Sequence, residues 1–204
     1  MILCEREIQA LVKRKLVIIE GCPDPDSKRW SSTALDLTLH NVILECDVTS
    51  TPPTGGAAGE VRPFSETFNV QQMMDDERYA RKVTIPSGDG YPLKPGGFIL
   101  GFTVEKVSIP HDCRIAARVE GKSSLARIGL GVHITAPTIH AGFGAEGGTP
   151  ILPIQLEIFN LGPWKIYLQG GMRICQLIFE EVREVPSQGY IGQFGGQQAF
   201  TAPG

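Results

Sequence analysis

Glycine and proline punctuate this chain so densely beyond its first residues that long helices are excluded. The 204 residues include 24 glycines and 15 prolines. They cluster at Pro52-Pro53, Gly55-Gly56, Gly88-Asp89-Gly90, Pro95-Gly96-Gly97, Gly162-Pro163 and Gly170-Gly171. Each cluster marks a turn, because glycine reaches positive φ and proline can continue neither a helix nor a central strand. Between the turns lie short segments of strand character. Leu35-Asp36-Leu37-Thr38-Leu39 alternates apolar and polar residues, as a half-buried strand does. Segments 42–48, 82–85, 98–107, 115–119, 154–159, 165–168 and 174–179 also read as strands. Many short strands at close spacing predict a mainly β fold, a sandwich or a barrel. Helical periodicity is confined to the start, where Leu3, Ile8, Leu11 and Val12 predict one short helix over 4–14. Segment 75–82 reads as either a helical turn or a charged loop, and 50–59 as a surface loop.

A hydrophobic content of 42% is enough for a real core. One β domain over 1–185 is expected, followed by a flexible Gly/Gln-rich tail over 186–204. The net charge of -3 offers no basic stripe, which argues against general nucleic-acid binding. The five cysteines form no C-x-x-C pair, so neither a disulfide framework nor a structural zinc site is expected. Charge at Glu5 interrupts the N-terminus before any run of signal-peptide length, and the apolar run near 97–104 is too short to cross a bilayer. A soluble cytoplasmic protein is the expectation.

Gly121-Lys122-Ser123 looks like the end of a nucleotide-triphosphatase phosphate loop. That loop requires G-x-x-x-x-G-K-[ST] between a strand and a helix. Its leading glycine would fall on Ala116, and Gly129 and Gly131 interrupt any long helix after Ser124. A metal site fares no better. His133 and His140 flank Pro137, with no carboxylate or cysteine at ligand spacing. The H-x-E and P-C-x-x-C strings of zinc-dependent nucleobase deaminases do not occur. His40 and His111 read as hydrogen-bonded structural residues.

Taken in order, "GKSSLARIGL…VHITA", "LEIFN" and "GMRICQLIFEEV" resemble the dCTP deaminase branch of the dUTPase/dCTP deaminase superfamily. "MILCEREIQALV", "SSTALDLTL" and the tail "GYIGQFGGQQA" resemble the same branch. The resemblance covers most of the chain and is weakest over 45–95. It implies a distorted β-barrel or jelly roll of the dUTPase-like type. It also implies a homotrimer with active sites between subunits and a tail that closes over the nucleotide. The implied reaction is zinc-independent hydrolytic deamination of dCTP to dUTP and ammonia, supplying dUTP for dUMP and dTTP synthesis. Magnesium would arrive on the triphosphate, and dTTP would inhibit.

Deamination needs water to attack cytosine C4, a proton on N3 and another on the departing amine. One carboxyl group can shuttle these protons. Pattern alone reads Glu157, between Leu156 and Ile158, as solvent-facing. The resemblance instead puts it on the family's catalytic glutamate. It further implies that Ser123 and the Ala136 carbonyl hold the water, with Arg127 in electrostatic support. Arg127 alone would read as a surface ion pair. Lys122 and Ser124 match phosphate-contact positions, with Lys122 replacing the commoner arginine. Thr135, His140, Tyr190 and Gln193 complete the implied substrate contacts, together with Gln176, which reads equally as a structural amide. His140 stands where many relatives carry aspartate, which weighs against ordinary dUTPase chemistry. Gly189 replaces an expected lysine, and the Gly-rich 144–150 reads as a hairpin tip or as a loop that reshapes a subunit contact. Two alternatives stand beside the deaminase. One is a dUTPase or a bifunctional enzyme taking dCTP to dUMP and pyrophosphate; the other is a non-catalytic nucleotide-binding trimer.

Overall fold

The computed structural model describes residues 1–46, 59–64, 68–133, 135–145 and 151–190. Residues 50–58 of the 50–59 loop, residues 146–150 of the 144–150 insert and the tail beyond Tyr190, Gln193 included, lie outside the described residues.

Helix α1 (Glu5–Lys13) fills the segment read as helical. Its first turn is closed by Glu7, whose Oε2 accepts from the Cys4 amide at 2.8 Å. Ile8 is fully buried beneath it, and Lys15 exits in the left-handed region at φ 58°. Strands β1 (Ile18–Glu20), β2 (Leu35–Thr38) and β3 (Val42–Cys46) follow. Helix α2 (Val70–Asp75) is not foreseen in the sequence; Asn69 caps it, accepting from the Gln72 amide at 3.0 Å. Segment 75–82 is therefore neither a helix nor a loop throughout. It holds the end of α2, a turn, and the start of β4 (Ala80–Thr84). Then come β5 (Tyr91–Leu93), β6 (Phe98–Ser108), β7 (Ile115–Gly121), α3 (Ser123–Ala126), β8 (Leu130–Val132) and β9 (Thr138–Ile139). The last strands are β10 (Leu152–Asn160), β11 (Ile166–Leu168) and β12 (Arg173–Glu181).

The fold is mainly β, as expected. One antiparallel sheet runs β4-β3-β6-β10-β8, with β1 also paired to β6. A second runs β2-β12-β7-β9, and β5 pairs with β11. The two larger sheets bury a common apolar core. Leu35, Leu37, Val119, Leu177 and Phe179 enter it from one, and Ile43, Ile99, Val107, Leu156 and Ile158 from the other. The chain crosses between the sheets at Leu39-His40, where the His40 amide donates to the Phe102 carbonyl at 2.8 Å. Gly101 makes this corner possible. A Cβ there would sit 3.0 Å from Leu39 Cδ1 and 3.2 Å from Ile158 Cδ1. The N-terminus is stapled to β12, with the Leu3 amide on the Phe179 carbonyl at 3.0 Å and the Glu181 amide on the Met1 carbonyl at 2.9 Å. Among the described residues no helix is long and apolar enough to cross a membrane.

Phe179 is fully buried where helix α1, the N-terminal staple and the core meet. Phe179→Ala should lower unfolding stability by about 3–5 kcal/mol, because the cavity term adds to the lost transfer energy. Urea denaturation checks this; a loss below about 1 kcal/mol would contradict the packing described.

Candidate active site

Two glycine contacts place the strand that carries Glu157. Gly129, at φ 90°, lies against Gly162 so closely that a Cβ would come within 2.2 Å of Gly162 Cα. The Leu161 amide donates to the Gly129 carbonyl at 2.8 Å. One residue into β8, Gly131 lies under the Phe159 ring, where a Cβ would be 2.3 Å from Cε2. These close approaches seat β8 against β10, with Ile158 opposite Val132. His133 then turns left-handed at φ 58° while its amide still reaches the Glu157 carbonyl at 3.0 Å. A non-glycine residue at this φ is uncommon and costs free energy, so the surrounding structure must enforce it.

The turn brings the His133 ring to Glu157. Nδ1 lies 3.2 Å from Glu157 Oε2, and the imidazole is only 7% exposed. Both atoms are buried, yet neither has an aligned hydrogen-bond partner among the described residues. Buried polar atoms left in this state are uncommon and mark strain or a ligand site. Leu156 and Ile158 point into the core, while Glu157 emerges on the opposite face. That face is not open solvent. Glu157 lines a cavity of about 210 Å³ with His133, Ala136, Gln155, His140 and Tyr190.

Tyr190 forms one wall. Its ring stacks on His140, with centroids 5.3 Å apart and planes inclined by 14°. Its amide donates to the Ala141 carbonyl at 3.0 Å. Gly142, at φ 98°, permits this contact, since a Cβ there would lie 2.3 Å from the Tyr190 nitrogen. His140 is thus engaged by Tyr190, at the beginning of the segment read as the tail.

Lys122, Ser123, Ser124 and Gln176 line a second cavity of about 570 Å³. It begins where β7 ends and α3 turns, so the two serines sit on a single helical turn. His133 is the link, lining both cavities. The residues read as one site from the sequence therefore fall into two groups within one chain. Glu157, Ala136, His140 and Tyr190 share one cavity; Ser123, Lys122, Ser124 and Gln176 share the other. Arg127 and Thr135 are exposed and line neither. Arg127 has no ion-pair partner among the described residues, so the surface ion pair read as its alternative is not formed there.

Sequence reasoning missed a buried polar cluster behind the second cavity. The Lys122 ammonium is bound to Asp36 Oδ1, and Arg173 Nη1 lies 3.3 Å from Asp36 Oδ2. Arg29 donates to the Asp36 carbonyl at 2.8 and 3.1 Å, and also pairs with Glu105. Glu105, 1% exposed, accepts from both the amide and the hydroxyl of Thr38 at 2.8 Å. The only sequence signal was a carboxylate on a strand where both neighbours are leucine.

A strand-built cavity with a carboxylate and an imidazole at its wall, beside a hydroxyl- and amine-lined one, defines a class: a mainly β protein with polar ligand sites built between its strands. The comparisons specify the class. A family model described as dCTP deaminase-like matches residues 2–182. A protein of Methanosphaera stadtmanae named "dCTP deaminase, dUMP-forming" is 31% identical over 96% of this chain and 91% of its own length. One of Haloarcula marismortui named "dCTP deaminase" is 32% identical over 97% of this chain and 89% of its own. The crystal structure of 2'-deoxycytidine 5'-triphosphate deaminase from Agrobacterium tumefaciens superposes with a TM-score of 0.58 at 22% identity. It is matched over 87% of this chain, which spans only 47% of the Agrobacterium chain. The chain belongs to the dCTP deaminase-like family.

Gly142→Ala should push Tyr190 off its seat while leaving the sheets intact. The Tyr190 amide should then exchange with solvent at least about tenfold faster, as expected when a hydrogen bond worth about 1.4 kcal/mol is lost. Hydrogen-exchange mass spectrometry reads this directly; unchanged exchange would show that Gly142 is not what admits the tail.

Proposed function

We propose that this chain deaminates dCTP hydrolytically, with dUTP and ammonia as products. What supports the reading is the Glu157 carboxylate, buried at Oε2, without an aligned partner, and lining a small cavity. The carboxylate takes a proton from water as the oxygen attacks C4, then delivers it to N3. The resulting C4 hydroxyl gives its proton, again through Glu157, to the amine. The C4–N bond breaks, ammonia leaves, and the base is left as uracil with N3 protonated. The Ala136 carbonyl and Ser123 hydroxyl hold the water, and Arg127 supports the developing charge. His133 Nδ1 stands close enough to hold the carboxylate in place.

Ser123 and Glu157 line separate cavities of one chain. A homotrimer in which the Ser123 group of one subunit faces the Glu157 group of the next would complete the site. Lys122, Ser124, Gln176, Tyr190 and Gln193 would hold the nucleotide, and residues 186–204 would close over it. The donors of the larger cavity suit phosphate oxygens. Among the described residues no group of three or more His, Cys, Asp or Glu is arranged to hold a metal. Magnesium would come with the triphosphate, where it neutralises phosphate charge.

A second reading adds pyrophosphate release, giving dUMP. The dUMP-forming name of a relative 31% identical supports it, and the imidazole of His140, in place of a carboxylate, weighs against it. Chromatography of a dCTP reaction with magnesium separates the two, since pyrophosphate forms only in the second. Glu157→Gln should lower ammonia release at least about a hundredfold while dCTP still binds. Retained turnover would remove Glu157 from its role.

A further inference from the structure

The second cavity carries a feature that phosphate binding alone does not require. Its lysine is tied to a carboxylate that itself lies behind the cavity wall. Asp36 is 7% exposed and sits opposite Gln176 in the β2–β12 register, while Gln176 lines the cavity. Asp36 cannot drift. Its carbonyl is gripped by Arg29, its amide donates to the Arg29 carbonyl at 2.8 Å, and Arg29 is itself locked to the buried Glu105. The two oxygens of its side chain serve two different cations, Lys122 on Oδ1 and Arg173 on Oδ2.

The residue types matter. An ammonium has three N–H donors and takes one oxygen, whereas a guanidinium would fork across both. Lysine at position 122 thus leaves Oδ2 to Arg173 and keeps donors of its own for a ligand. Two cations on one carboxylate leave the cluster net positive. A free lysine would lose considerable rotamer entropy on gripping a phosphate; one already tethered, and only 20% exposed, has lost most of it in folding.

We propose that Asp36 is a positioning residue for the triphosphate. It fixes the Lys122 ammonium at the wall shared with Ser123 and Ser124, while Arg173 offsets the charge on its second oxygen. The inference rests on the dCTP reading above. It concerns the phosphates and not the base, so its signature depends on the number of phosphates.

The test uses the Glu157→Gln protein, to suppress turnover, with calorimetric binding of dCTP and dCMP. Adding Asp36→Asn should weaken dCTP at least tenfold and dCMP less than threefold. In a Lys122→Ala background the same substitution should cost less than twofold, because Asp36 then has no lysine to hold. Equal losses for dCTP and dCMP, or a full Asp36→Asn penalty without Lys122, would overturn the inference alone. A general loss of packing would give that equal pattern. If circular dichroism shows that Asp36→Asn does not fold, Asp36→Glu keeps the charge and shifts the carboxylate by one methylene. It must show the same dependence on phosphate number, and equal losses overturn the inference here too. Failure of the Glu157→Gln protein with Asp36 intact to bind dCTP would overturn the functional reading and this inference together.

Discussion

Strand β10 is held along both edges, by β6 on one side and β8 on the other, and Glu157 and Gln155 of the cavity wall take their places from that double pairing. A strand paired on one edge can twist or slip. One paired on both, with its alternate residues locked in the core, cannot. Ile154, Leu156 and Ile158 supply that lock. The backbone of Glu157 is therefore fixed by pairing and packing, and the His133 ring stands 3.2 Å from its carboxylate. Such preorganisation is what proton transfer needs, because reorganisation at the reacting group adds to the barrier. The left-handed His133 belongs to the same constraint: its amide continues the pairing to Glu157 while its ring leaves the strand path.

The charge pattern follows from where anions can be met. With a net charge of -3, the chain offers no general attraction to a polyphosphate. It concentrates cations locally and anchors them on buried carboxylates. Glu105 and Asp36 each hold an arginine or lysine whose other donors face outward or toward backbone. A buried carboxylate without such partners would be strongly destabilising.

Much of this was legible in the sequence, and the gaps have physical reasons. The alternating Leu35–Leu39, the glycine-bounded strands and the amphipathic first helix follow from local periodicity, and each formed. Strands β1, β5, β8 and β9 are two or three residues long, too short for any periodic signal; β1, β8 and β9 exist because longer neighbours pair with them, and β5 pairs with the equally short β11. Helix α2 has no buried residue, so no apolar face announces it. Glu157 was found through resemblance, since its own pattern matched any outward-facing strand residue. Asp36 was hidden for the opposite reason. Alternation correctly placed it across from the core leucines, but only the fold shows that Arg29, Lys122 and Arg173 converge to cover that face. The division of the site into two cavities had no local signal, because it depends on which side of β8 each segment emerges.

The staple between residues 1–3 and β12 also constrains the order of events during synthesis. Met1 and Leu3 bond to Glu181 and Phe179, so residues 1–3 wait for the last described strand. Strand β2 waits for β12 as well. The sheet of β3, β4, β6 and β10 can close earlier, because its partners leave the ribosome sooner. Nascent chains should therefore spend their time as one formed sheet with the apolar faces of α1 and β2 uncovered. That interval, set by contact order more than by final stability, is when the chain is most exposed to aggregation.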